Sequence, residues 1–314
     1  MTKNQSWTGL ILLLLGGCAA APSAEAPGGA GTLAIVATTG MIGDVASRLG
    51  GVHVTVTTLM GPGVDPHLYK ASESDVRKLA EADLVLYNGL HLEGKMGDVL
   101  VKLARTRPVV AVTEDLPREQ LREPPEFLGQ YDPHVWFDVS LWAEILGPIE
   151  RELARLDPGH AQDYATRRAE LQAEFRGLDA WIKERMSTVP ERQRVLVTAH
   201  DAFGYFGRRY GMKVVGLQGM STLAEAGLSD VERVVREILD ARVPAIFVES
   251  SVPRKSIEAV QAAVRARGFT VVIGGQLHSD ALGAAGSPAG TYAGMVRANV
   301  ETLVAALGGE GEAR

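Results

Sequence analysis

The sequence predicts an α/β protein of two lobes, each a mainly parallel sheet flanked by helices, joined by one long rigid helix with a cleft between them. Three observations carry this. Short β-rich runs recur in two series, helix-like or polar stretches separate the runs within each series, and one long charged stretch with helical spacing divides the two series. Alternation of that kind is the pattern of parallel strands with crossover helices.

Residues 1–17 read as a signal peptide. Trp7 to Leu15 form an apolar stretch behind Lys3, too short for an ordinary membrane helix but suited to a signal core. The stretch ends in Leu15-Gly16-Gly17-Cys18, which resembles the bacterial lipobox, in which the cysteine is lipidated and becomes the new N-terminus. A plain secretory signal cleaved among the following alanines is the alternative. Cys18 is the only cysteine, so the mature body has no disulfide and no thiolate metal site. Residues 18–31, rich in Ala, Pro and Gly, read as a lipidated flexible tether.

The N-terminal lobe, residues 32–157, is expected to hold strands at Leu33–Thr38, Val52–Thr57, Ala82–Tyr87 and Val109–Val112. The linking helix occupies 158–189: from Pro158 to Met186 the only interior breakers are Gly159 and Gly177, and Leu171, Phe175, Leu178 and Trp181 form an apolar stripe before Pro190. The C-terminal lobe, 190–314, repeats the pattern with Arg194–Thr198, Lys213–Gly216, Ala245–Val248 and Phe269–Ile273. A formal charge of −6 over 314 residues argues against partners that need a basic surface, nucleic acid and anionic lipid among them.

Ligands of open α/β sheets gather beyond the carboxyl ends of strands, so polar residues in those loops are the candidates. His67 lies in Gly61-Pro-Gly-Val-Asp-Pro-His67, a shaped loop after the second strand; His134 lies in Tyr131-Asp-Pro-His-Val-Trp136, after the fourth. His200 follows the run ending at Thr198, and Asp280 follows the last run of the second lobe. Two residues from each lobe would surround one ion with three imidazole nitrogens and a carboxylate. Zinc accepts that donor set at about 2.0–2.1 Å for nitrogen; a bidentate aspartate would suit manganese; calcium would need more oxygens. Glu249, at the end of its strand, is a candidate to accept the second ring N–H of a liganding histidine, or else to cap the next helix. Asp201 is in a similar position. His53, alternating with Val52 and Val54, and His160, near the helix start, are expected to face solvent, and His91 to support its loop.

Gly61-Pro-Gly-Val-Asp-Pro-His-Leu-Tyr69, Tyr87-Asn-Gly-Leu-His-Leu-Glu93, Asp132-Pro-His-Val-Trp136, Thr198-Ala-His-Asp-Ala-Phe-Gly-Tyr-Phe206, and Ser279-Asp-Ala-Leu282 with Gly290-Thr-Tyr292 together resemble the zinc- and manganese-type solute-binding lipoproteins of bacterial ABC importers, solute-binding protein family 9. The resemblance spans nearly the whole mature chain. It implies capture of one divalent metal ion between two similar lobes by His67, His134, His200 and Asp280, small motion on binding, and delivery to a membrane permease served by a separate ATPase. The chain is then exported, lipid-anchored at the cell envelope, monomeric and not an enzyme. Residues 113–131 contain no histidine, unlike the His-rich loop of many zinc-specific relatives, which favours manganese; the nitrogen-rich donor set favours zinc. His278 stands where relatives usually carry an aromatic residue and is a further candidate beside Asp280. Two other functions compete. A zinc hydrolase would need an open coordination position, and no His-Glu-x-x-His helix is present. A surface adhesin would need an exposed sticky repeat. No Gly-x-x-x-x-Gly-Lys-Ser/Thr loop occurs for ATP.

Overall fold

The computed structural model describes Met1 and residues 32–308, Leu128 excepted, so Cys18 and the signal and tether segments lie outside the described residues. Four strands form the first sheet: β1 Leu33–Ala37, β2 Val54–Thr58, β3 Leu84–Tyr87 and β4 Val109–Ala111. They pair in parallel in the order β2-β1-β3-β4. The helices α1 Gly40–Gly50, α2 Glu73–Glu81 and α3 Gly97–Leu103 connect them, as parallel pairing requires. The short α4 Val139–Trp142 and α5 Leu146–Leu156 then lead to α6, Ala161–Ser187, the long helix that joins the lobes.

In the second lobe β5 Val195–His200 pairs in parallel with β6 Lys213–Gln218, and β7 Ala245–Glu249 with β8 Val272–Leu277. β5 lies beside β7, so the two ladders form one layer. α7 Gly204–Tyr210, α8 Leu228–Ala241, α9 Lys255–Ala266 and the C-terminal α10 Tyr292–Leu307 complete it.

Most strands fall within one or two residues of expectation, and the exceptions have local causes. β8 runs Val272–Leu277 rather than 269–273, so Gly274 and Gly275, which lie beyond the expected run, are strand residues. A Cβ on Gly274 would lie 2.7 Å from Ala306 and 2.9 Å from the Phe247 ring, so close packing rather than a turn requires glycine there. β5 continues through His200, whose ladder partner is Gln218; His200 is therefore the last residue of a strand, not the residue after it. His53 ends a 3₁₀ turn, Gly51–His53, instead of lying in β2. Its ring stacks on His160 at 3.8 Å and its Nε2 lies 2.9 Å from Asp163 Oδ2, so it packs against the start of α6 and does not simply face solvent.

The apolar stripe of α6 consists of Leu171, Phe175, Leu178, Ile182 and Met186, spaced three or four apart and all buried; Trp181 is only half-buried, under Arg297. The stripe is one wall of the largest core. That core runs from Ile35, Leu84 and Leu86 of the first sheet through Trp136, Trp142 and Tyr292 to Phe247, Leu277 and Leu303 of the second lobe. Smaller cores fill the far face of each sheet, Val36, Leu79, Val85 and Leu100 in one lobe and Val197, Ile246, Ile257 and Val260 in the other. Because the lobes share a core around a helix, opening them like a hinge would expose apolar surface at about 25 cal/mol per Å². The fold therefore favours a cleft of nearly fixed width.

Candidate metal centre

Strand ends from both lobes meet at one point. His67 (loop after β2), His134 (loop before α4), His200 (end of β5) and Asp280 (loop after β8) are all buried, and one donor atom from each lies within 4.8 Å of all the others. His67 Nε2 is 3.4 Å from His134 Nε2; Asp280 places Oδ1 3.5 Å from His134 Nε2 and Oδ2 3.3 Å from His200 Nε2. The imidazoles meet at steep angles with centroids 5.2–5.9 Å apart, so the rings point edges, not faces, at the common centre.

Local chemistry sets each ring. Pro66 and Pro133 disfavour helical backbone at the preceding aspartates, and each aspartate side chain folds back to accept the backbone N–H of the histidine two residues on: Asp65 Oδ1 from His67 at 2.8 Å, Asp132 Oδ1 from His134 at 3.0 Å. Asp132 Oδ1 is also 2.7 Å from His134 Nδ1, while its Oδ2 accepts from Arg122. A carboxylate on Nδ1 makes Nδ1 the protonated nitrogen and leaves the Nε2 lone pair facing inward. Glu249 stands in the corresponding place beside His200: its Oε1 accepts the His200 backbone N–H at 2.9 Å, and its Oε2 stands 2.6 Å from Nδ1, a close contact without hydrogen-bond alignment. Of the two readings open for Glu249, the structure places it on His200 and away from α9. Asp280 is braced from both lobes, Ser251 Oγ donating to Oδ2 at 3.4 Å and Trp136 Nε1 to the carbonyl of Ser279 at 2.9 Å.

His200 Nε2 and Asp280 Oδ1 are buried without a hydrogen-bond partner. Inward lone pairs facing a carboxylate and one another repel unless positive charge sits among them. The titration directions express the same demand. Burial pushes His67 down to about 3. Burial likewise works against a charged His200, but Glu249 and Asp280 outweigh it and raise this imidazole well above its ordinary value. Burial raises the Asp280 carboxyl, and His200, His134 and His67 more than reverse that, holding it below the usual range. Three nitrogens and a carboxylate around one point suit zinc or another borderline divalent ion.

The remaining candidates lie outside this cluster. The Asp201 carboxylate faces Arg122 Nη2 at 4.0 Å, and burial raises its pKa. His278 is tied by its backbone to Asn299, which accepts from its N–H at 2.8 Å and donates to its carbonyl at 2.7 Å. Among the described residues neither bonds to any of the four, so the placement gives them no direct contact with the centre. His91 is exposed on a left-handed turn (φ 64°); Glu93 supports that loop instead, accepting from Asn88 N at 2.7 Å, Gly89 N at 3.2 Å and Thr38 Oγ1 at 2.7 Å. Sequence reasoning missed Asp132 and Arg122. The signal for Asp132 was present in the twice-used Asp-Pro-His, but Arg122 belongs to no motif.

Comparison with known proteins places this geometry. A model of the ZnuA family, zinc-uptake complex component A, periplasmic, matches residues 35–306. The chain is 49% identical to the manganese-binding lipoprotein MntA of Bacillus subtilis over 88% of this chain and 90% of that one. It is also 49% identical to the zinc-binding protein TroA of Treponema pallidum, over 87% of this chain and 88% of that one. The TroA structure superposes with a TM-score of 0.86, covering 88% of this chain and 99% of its own. A manganese-bound periplasmic metal binding protein from Candidatus Liberibacter asiaticus, 25% identical, superposes at 0.76, covering 88% of this chain and 100% of its own. With the fold, the inward-facing donor set and the family match in agreement, the chain belongs to the ZnuA family of metal-binding components of uptake systems.

Proposed function

We propose that this chain is the extracytoplasmic substrate-binding component of an ABC importer, and that it captures one divalent transition metal ion, manganese or zinc, with His67, His134, His200 and Asp280. The observation that carries the reading is the buried meeting of four donor atoms, two of them on histidines whose far ring nitrogens face the carboxylates of Asp132 and Glu249. The metal is cargo. The protein's part is to strip water from the ion, hold it, and present it to a membrane permease whose separate ATPase supplies energy.

Relatives of equal identity are named for manganese and for zinc, so similarity alone does not choose between them. Chemistry ranks zinc above manganese at nitrogen donors, and manganese gains only if Asp280 binds through both oxygens. Metal analysis of untagged protein after competition between the two ions decides this. Retention of no ion by the wild-type chain would refute the whole reading.

Export and anchoring through Cys18, with residues 18–31 as tether, would keep a monomeric binding protein beside its permease; the lipoprotein relative MntA supports this. Radiolabelled lipid incorporation, lost in Cys18→Ala, tests it. Among the described residues no helix is long and apolar enough to cross a membrane. Residues 32–157 and 190–314 are proposed as the two lobes, with 158–189 as the link. A hydrolase remains distinguishable by experiment: ester hydrolysis that depends on added metal and disappears in His200→Ala would replace transport with catalysis.

A further inference from the structure

The two lobes are fastened differently on the two sides of the metal centre. On the Asp132 side, Tyr205 Oη donates to the Asp132 carbonyl and accepts from the Arg122 backbone N–H, both at 3.0 Å, and Arg208 Nη2 donates to the Gln120 carbonyl at 2.6 Å. On the other side, one hydrogen bond among the described residues joins the 59–72 segment to the C-terminal lobe, from Thr222 Oγ1 to Asp65 Oδ2 at 2.6 Å. Asp65 is also the residue whose Oδ1 fixes the His67 backbone at 2.8 Å. A single carboxylate thus connects the loop after β6 to a residue of the metal centre. A cavity of about 310 Å³ lies against it, lined from both lobes by Asp65, Leu68, Thr222, Val252 and Pro253.

We propose that the Thr222–Asp65 hydrogen bond is a latch that sets how fast the metal leaves. This rests on the metal-binding reading above. While the bond is made, Asp65 holds the His67 loop down; when it breaks, the loop lifts and the ion departs through the adjoining cavity. Thr222 is buried and, among the described residues, its hydroxyl bonds to Asp65 and to none of the four donors, so its effect on the ion passes through Asp65 as a positioning residue.

The test uses the full chain loaded with zinc alone and, separately, with manganese alone. Transfer to a chelator is followed by stopped flow, and bound metal is counted by elemental analysis. Thr222→Val keeps the β-branched shape and removes the hydroxyl; it should still hold one ion but release it about tenfold faster, the size expected of one hydrogen bond to a charged group. Thr222→Ser keeps the hydroxyl and should release at the wild-type rate. Equal rates in all three proteins, each with one ion, would overturn the latch and leave the metal-binding reading intact. A folded Thr222→Val that holds no ion would also overturn it, because Thr222 would then be needed for capture and not for timing. Failure of the wild type to bind either ion would instead remove the reading on which the latch rests.

Discussion

The tripeptide Asp-Pro-His occurs twice at the metal centre, and its two copies do the same local work with different support. Asp65 and Asp132 both accept the backbone N–H of the following histidine, at 2.8 and 3.0 Å. There the likeness stops. Asp132 is fully buried, holds the ring of its own histidine at 2.7 Å, and is itself gripped by Arg122. Asp65 holds only backbone, no side chain among the described residues bonds His67 Nδ1, and its second oxygen is used across the cleft by Thr222. An identical motif thus supplies one anchored histidine and one adjustable one. What distinguishes them is the tertiary neighbour each aspartate meets.

The sharpest break between anchor and support comes from removing donors themselves. His134→Ala and Asp280→Ala should each cost more than the roughly 10–100-fold in affinity typical of losing a supporting group, and leave no ion after dialysis. Elemental analysis reads this directly. The comparison itself is tested next. Asp132→Ala should weaken metal binding by about 100-fold, since it frees the His134 ring, whereas Asp65→Ala, which loses the bond to Thr222 and one backbone contact but no ring contact, should cost about tenfold. Isothermal titration with both variants, each checked for native thermal unfolding, decides it; an equal or larger loss in Asp65→Ala would mean that the two loops are not unequal after all. Glu249→Gln, which removes the charge and one of the two acceptor oxygens that face the His200 backbone N–H and ring Nδ1, should fall near tenfold.

Much of the centre was legible because strand ends are legible. His67, His134 and Asp280 follow β-rich runs that the structure confirms as strands, and His200 was displaced by only two residues when β5 proved longer. The long helix was visible from its breakers and its stripe, with the 3₁₀ turn Pro158–His160 preceding α6 proper. What could not be read is how the rings are aimed. Arg122 lies ten residues from Asp132 in an irregular stretch, and Thr222 lies 157 residues from Asp65. Periodicity carries no information about such pairs, because they depend on how loops from separate crossovers settle against a shared core. The expected run stopped one residue short of Gly274 for a related reason: a glycine pair gives no β-rich signal, and only the neighbours Phe247 and Ala306 show that Gly274 is packed in the strand.

Behind the anchored loop stands a second layer, which predicts a stability effect rather than an affinity effect. Asp179 on α6 accepts from Arg209 at 2.9 Å and from Tyr210 Oη at 3.0 Å, tying the linking helix to α7, the helix that carries Tyr205. Burial raises the Asp179 carboxyl, but Arg209, Lys183 and Tyr210 prevail and hold it below its ordinary value. A carboxyl depressed on folding contributes stability that is present above its unfolded pKa near 4 and is lost as pH falls toward and through the folded value. Asp179→Asn should therefore cost about 1–3 kcal/mol at neutral pH, with the gap to wild type closing below about pH 4. Urea melts at several pH values measure it, and a gap that widens in acid would contradict the sign.

The smallest effect should come from the phenol that joins this layer to the anchored loop. Tyr205 Oη donates to the Asp132 carbonyl and accepts from Arg122 N–H, so Tyr205→Phe removes both links while keeping the ring that lies under the Arg122 and Arg208 guanidinium groups. Since the Asp132 side chain keeps its bonds to Arg122 and His134, the ring of His134 should stay aimed. The expected cost is about 1 kcal/mol of stability and less than about threefold in metal affinity, because one neutral network of this kind nets little against water. If Tyr205→Phe instead weakened metal binding as much as Asp132→Ala, anchoring would reside in the clasp between the lobes and not in the carboxylate, and the contrast between the two Asp-Pro-His loops would have to be redrawn around α7.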